Sequence, residues 1–346
     1  MPVPKELLDY AARLGFAKSE TMGEILCLLF PDDESRRIVQ ALSRPATFGE
    51  ISAATGIPYD RIEEIAVKMA QTGVVGRYSE PRDKVKLHGA VIELRDATVP
   101  YPQAPPELPF LWERLITREI ADVMPAWKQS TTPPALRVVP IETTVPSKSL
   151  IVDIDSARKI VRDAELITAT PCACRLQAQQ VGKGKDCHAP HDVNLCLQIN
   201  KFAQNQLERG FAERISNEEA LRRLEMAEDA GLVHQVRNNV KRDMLLCNCC
   251  SCCCTGLWML DKFGYEFNTK SRFQVEFDPS TCKGCGKCVK RCQFKAISID
   301  KSKPAQERVA AVNFDKCYGC GNCAATCPSQ SLKLKEVRPR EFVRTT

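Results

Sequence analysis

Along the first ninety residues, apolar positions recur mostly at helical spacing. Thr21 to Phe30 and Asp32 to Leu42 each carry aliphatic residues three and four apart, which predicts two amphipathic helices. Pro45-Ala46-Thr47 opens a short helical run that ends at Gly56. Pro58 to Gln71 places Ile62, Ile65, Ala66 and Met69 on one helical face, and Gly73 closes it. Val74 to Tyr78 and Lys84 to Leu87 predict two strands around Ser79-Glu80-Pro81-Arg82-Asp83. Residues 100 to 146 hold ten prolines. Within them, Leu108 to Met124 predicts one amphipathic helix. Trp112 and Trp127 require burial, so this segment reads as a connector wrapped over its neighbours rather than a free linker. Further on, Ser149 to Ile154 predicts a strand, and Ser156 to Leu166 a helix. Asp192 to Arg209 predicts a second helix, stopped by Gly210. Ser216 with Glu219 three residues later is a capping box for a third helix, which runs to Ala230 with Gly231 as its C-cap.

Residues Ser19 to Gly89 resemble a winged helix-turn-helix, with Pro58 to Gln71 in the recognition-helix position. That helix suits DNA poorly. Arg61 and Lys68 face Asp60, Glu63 and Glu64, a net charge of −1, whereas a helix entering the phosphate cage brings excess positive charge. The expectation is a winged helix reused for docking or packing, and nucleic acid is not the expected partner.

Cysteine spacing changes the picture most. The C-terminal stretch reads Cys282-x2-Cys285-x2-Cys288-x3-Cys292, then Cys317-x2-Cys320-x2-Cys323-x3-Cys327-Pro328. Three cysteines at two-residue gaps wrap one iron–sulfur cube, and the fourth ligates the other cube. One [4Fe-4S] cluster is therefore expected on Cys282, Cys285, Cys288 and Cys327. The other is expected on Cys317, Cys320, Cys323 and Cys292. Gly284, Gly286, Gly319 and Gly321 flank the middle cysteine of each loop, where backbone folds against sulfide. The halves superpose at a shift of 35 residues (Cys282 on Cys317, Ile297 on Leu332, Ile299 on Leu334), the mark of an internal duplication. A zinc site needs only four ligands and shows no such cross-over spacing. The stretch resembles the bacterial two-cluster ferredoxins, departing at Gln293, where that family usually has proline.

Ten further cysteines lie upstream: Cys172, Cys174, Cys187, Cys196, and Cys247, Cys249, Cys250, Cys252, Cys253 and Cys254. Cys247, Cys250 and Cys253 repeat the C-x2-C-x2-C spacing, and Cys249 with Cys252 forms an offset pair. These thiols supply ligands for one or two additional [4Fe-4S] clusters, with Cys172, Cys174, Cys187 and Cys196 as remote ligands. The alternatives are zinc held by Cys187, His191, Cys196 and another thiolate beside one cluster, free or redox-active thiols, or a noncubane cluster built on adjacent cysteines. Cys196, between Leu195 and Leu197 on the expected helix, also reads as a buried thiol. Arg175 stands where it can donate to a sulfide, or simply face solvent.

Nineteen cysteines, many adjacent, do not form a secreted disulfide framework. No apolar run is long enough to span a bilayer, and Lys5, Glu6 and Asp9 do not make a secretory leader. The expected location is the cytoplasm, with no membrane insertion. The net charge is +6, but residues 271–346 carry fifteen Lys and Arg against seven Asp and Glu. Two oxidised cubes add about −4 and leave this part basic, which predicts a partner with an acidic docking surface.

These readings predict an α+β multidomain chain. A winged-helix-like domain occupies 1–99 and a Pro-rich connector 100–146. A mainly helical Cys-rich metal- or cluster-binding domain follows at 147–270, then a βαββαβ two-cluster ferredoxin domain at 271–346. The whole layout resembles 4Fe-4S ferredoxin-type proteins of anaerobes. The resemblance implies electron transfer as a subunit or partner of a larger oxidoreductase, relayed through the two ferredoxin cubes and the additional centres. Gly182-Lys183-Gly184 lacks the rest of a nucleotide fingerprint, and no acid–base or nucleophile set stands out. No independent catalysis is therefore expected. The alternative function is an iron–sulfur redox sensor that moves the winged helix on or off DNA.

Overall fold

The computed structural model describes residues 3–130, 132–145, 156–239 and 245–344. The chain divides into two compact units. The first comprises 1–130, 171–185 and 205–212; the second comprises 131–170, 186–204 and 213–346.

The first unit begins with α1 (Lys5–Arg13), α2 (Glu20–Leu29) and α3 (Asp33–Ala41). Next come β1 (Ala46–Thr47), α4 (Phe48–Thr55), α5 (Tyr59–Thr72), β2 (Val75–Arg77), β3 (Lys84–Leu87) and α6 (Val91–Thr98). Local chemistry sets these limits. Thr47 and Glu50 form a reciprocal capping box at the head of α4. Gly56 and Gly73 end α4 and α5 in the left-handed conformation. The three strands form an antiparallel sheet, ordered β1-β3-β2. Ile25, Leu26, Ile38, Phe48, Ile51 and Ile62 are buried in this unit's core. The helix expected over Leu108 to Met124 forms and continues to Gln129. α7 (Leu108–Arg114) passes through a π-turn at Leu115–Glu119 into α8 (Ile120–Gln129), which contains Pro125. Trp112 is buried and Trp127 half-buried, as a packed connector requires.

Beyond it lie β4 (Leu136–Val139), α9 (Ala157–Arg162), β5 (Ile167–Thr170), α10 (Ala173–Gln180), β6 (Cys196–Ile199), α11 (Lys201–Glu208), β7 (Glu213–Ile215) and α12 (Asn217–Asp229). β8 (Val233–Arg237), β9 (Leu245–Cys249), α13 (Thr255–Phe263) and β10 (Asn268–Thr269) follow. The second unit is built on a seven-stranded sheet, ordered β10-β4-β8-β9-β6-β5-β7. Among the described residues, only the β10–β4 pair of this sheet is parallel.

This sheet corrects the expectation of a mainly helical Cys-rich segment. Asp192 to Arg209 is not one helix. Leu195, Leu197 and Ile199 alternate into the core, so their period is that of a strand. Asn200 then breaks the chain at φ 56°, and its Oδ1 accepts from the backbone N–H groups of Glu165 and Leu166. Cys196 therefore lies on β6, not on a helix. The strand expected at Ser149 to Ile154 lies outside the described residues.

The C-terminal part runs β11 (Phe273–Phe277), α14 (Lys287–Arg291), β12 (Ile297–Ile299), β13 (Ala310–Val312), α15 (Asn322–Ala325) and β14 (Leu332–Glu336). This is a βαββαβ order. β11 pairs antiparallel with β14, and β12 with β13. Each two-stranded sheet thus takes one strand from each repeat, so the halves interlock rather than sit side by side.

Candidate metal centres

The interlocking brings the fourth cysteine of each repeat to the other repeat's loop. Cys282, Cys285, Cys288 and Cys327 line one cavity. Cys317, Cys320, Cys323 and Cys292 line another. In each loop two glycines with positive φ turn the backbone inward. A Cβ at Gly284 would run into the carbonyl of Arg308, and one at Gly319 into that of Phe273. No other residue type fits these turns without moving backbone.

Burial disfavours thiolates in these sites. It pushes Cys288 up to about 11 and Cys320 up to about 12, and it raises Cys323 and Cys292 as well. Cys327 goes the other way. Burial opposes its ionisation too, but the hydroxyls of Ser331 and Ser329 (3.2 and 3.6 Å) and nearby backbone N–H groups bring it down to about 7. Thiolates are what bind iron, so metal must displace the protons of Cys288, Cys292, Cys320 and Cys323.

The surroundings of the two cavities differ. Around the first, Cys285, Lys283, Lys287, Val289 and Lys290 are exposed. Around the second, Tyr318 and Asn322 are buried. Tyr318 stacks on Phe294 with ring centres 4.4 Å apart. Asn322 Nδ2 donates to the carbonyls of Gly231 and Leu232 at 3.0 and 3.2 Å. The N–H of Ile141 donates to the carbonyl of Cys320 at 3.0 Å.

The ten upstream cysteines separate into groups. Cys187, Cys250, Cys252 and Cys253 bring their sulfurs within 4.8 Å of one another. Cys247 and Cys249 are two apart on β9 and so share one face. The β6–β9 register pairs Leu197 with Leu246, and one step further it sets Cys196 opposite Cys247. Cys247, Cys249 and Cys254 pack in one apolar cluster with Cys292 and Cys320. Cys172 occupies the position just before α10 and Cys174 lies in its first turn, both in the first unit. The zinc alternative drawn from sequence is not assembled, because His191 and Cys196 fall outside the close group.

Two contributors escaped the sequence reading. Arg95, on α6 and buried, donates to Cys174 Sγ at 2.8 Å. Burial lowers its pKa, but Asp96 and Cys174 outweigh this and raise it. Nothing in the spacing links residues 79 positions apart. Gln293, noted only as a departure, is the other. Its Oε1 accepts from the N–H and hydroxyl of Ser251 at 2.8 and 2.9 Å, and its Nε2 donates to the carbonyl of Gly231 at 2.9 Å.

No described helix is long and apolar enough to cross a membrane. No curated protein and no solved structure matches the chain. Residues 281–331 match the family model of the 4Fe-4S dicluster domain. That match, with the clustered cysteines, marks this as a ferredoxin-like iron–sulfur protein that binds [4Fe-4S] and serves electron transfer.

Proposed function

We propose that the chain relays electrons through two [4Fe-4S] cubes, one on Cys282, Cys285, Cys288 and Cys327 and the other on Cys317, Cys320, Cys323 and Cys292. The observation that carries this reading is that each cavity draws three cysteines from one repeat and the fourth from the other. A third cluster on Cys196, Cys247, Cys249 and Cys254 continues the path inward. Its support is the packing of Cys247, Cys249 and Cys254 with Cys292 and Cys320. The first cube is the port to the partner. The exposed lysines around Cys285 favour an acidic docking surface on a larger redox enzyme. The protein itself sets potential and position and turns over no substrate. A reducing cytoplasm suits this many thiols.

The rival reading, a DNA-binding redox sensor in which α5 reads an operator, draws little from the residues. Arg61 is bound to Glu34 and Glu64, both at 2.7 Å, and α5 has no excess of positive charge. A cluster-dependent, sequence-specific gel shift would favour it over electron relay.

Anaerobic iron and acid-labile sulfide analysis with electron paramagnetic resonance tests the proposal. About eight irons per chain is the expectation for the two cubes, and about twelve with the third. Colourless, iron-poor material prepared anaerobically would overturn it. Substrate turnover by the isolated protein with a dye as electron source would overturn the carrier role.

A further inference from the structure

The sulfurs of Cys187, Cys250, Cys252 and Cys253 are too close together for a cube. All four lie within 4.8 Å of one another. Cys187 and Cys250 are 3.6 Å apart, and Cys252 and Cys253 are 3.7 Å apart. Four thiolates at a zinc–sulfur distance of about 2.3 Å occupy tetrahedron corners about 3.8 Å apart. A cube spreads its irons over alternate corners and holds its thiolates on the order of 6 Å apart. Among the described residues, no other three ligating side chains converge so tightly, the cube-type cavities included.

From this spacing we infer that Cys187, Cys250, Cys252 and Cys253 hold a single zinc ion as a tetrathiolate. Cys250 and Cys253 form the C-x2-C knuckle, and Cys252 within it adds a third thiolate. Cys187 reaches in from 63 residues upstream. Four thiolates leave no open position, so the ion has a structural role and takes no substrate. Cys187 and Cys250 are buried, which shields the ion on one side. The knuckle is also fastened to the ferredoxin-like part. Ser251, between two of the ligands, donates twice to Gln293, the residue after Cys292. The zinc loop thereby holds the backbone that carries the second cavity's remote cysteine. This inference stands apart from electron relay, since zinc has no redox chemistry.

Zinc and iron should be measured together on anaerobically purified full-length protein, with X-ray absorption at the zinc edge. The expected result is one zinc per chain with a single shell of four sulfurs at about 2.3 Å. Cys250→Ser and Cys253→Ser should each lose the zinc and keep the iron content. Absence of zinc from the wild type, a shell containing nitrogen or oxygen, or loss of about four irons in either variant would overturn the inference, the last by indicating a cube instead. The absorption measurement needs no variant, so a misfolded mutant does not obscure the answer. A protein with zinc but no iron would sink the relay proposal and leave this one standing.

Discussion

The two repeats of the ferredoxin-like part began as copies and now sit in opposite environments. At the shift of 35 residues, Lys283 corresponds to Tyr318 and Lys287 to Asn322. The first member of each pair is exposed. Tyr318 and Asn322 are buried, one stacked on Phe294, the other bonded to the turn that precedes β8. The cysteine spacing is unchanged. The spacing is thus shared, while the residues between the cysteines decide which cavity faces solvent and which packs against the rest of the chain.

The sharpest way to break this contrast is to remove one ligand from each cavity. Cys323→Ser should cost four irons and lower the melting temperature by on the order of 10 °C, because an unfilled buried site cannot close. Cys285→Ser should also cost four irons, yet leave the melting temperature within a few degrees. Iron analysis and thermal unfolding separate the two outcomes; equal melting losses would erase the distinction. The cross-over is tested by pairing variants. Cys292→Ser and Cys317→Ser should leave the same residual paramagnetic spectrum, and Cys327→Ser and Cys282→Ser should share the other. Residual spectra that pair Cys292 with Cys282 would refute interlocked ligation.

A charge change reaches only the exposed site. Replacing Lys283, Lys287 and Lys290 together by Gln should slow reduction by an acidic electron donor about tenfold at low ionic strength, and the difference should fade in high salt. Stopped-flow rates across a salt series check this. Iron loading should depend on pH more steeply in the second cavity. Burial raises Cys292, Cys320 and Cys323, so iron must displace a proton from each, and loading improves as pH rises. In the first cavity burial raises Cys288, while Cys327, at about 7, is about half ionised at neutrality. Reconstitution followed by paramagnetic resonance should show the second cube lagging at lower pH and catching up at higher pH. The smallest effect expected is that of Gln293→Ala, which removes the bonds to Ser251 and Gly231. It should cost about 1–2 kcal/mol, a few degrees of melting temperature, without loss of iron.

What could be read from the sequence follows the range of the interactions. The loops around each cavity were legible because three ligands lie within seven residues, and the duplication supplied the fourth. Helix limits at Thr47, Gly56, Gly73 and Ser216 were legible because capping is local. β6 is hidden in the sequence because Leu195, Leu197 and Ile199 sit inside a longer run that also fits a helix. Only the neighbouring β5 and β9 make that stretch a strand. The approach of Cys187 to Cys250 and that of Arg95 to Cys174 are tertiary, and no spacing rule spans such separations. Gln293 looked like a missing proline because its three hydrogen bonds all go to distant residues.

The short segment Ile141–Val145 lies across the second cavity's loop. Its first N–H is bonded to Cys320, and Thr144 occupies the space a side chain at Gly321 would need. The loop that carries Cys317, Cys320 and Cys323 is therefore held in shape by a segment far upstream in the chain. Iron loading at that site is thus coupled to the folding of the earlier segment, and loosening the segment should weaken loading there while sparing the first cavity.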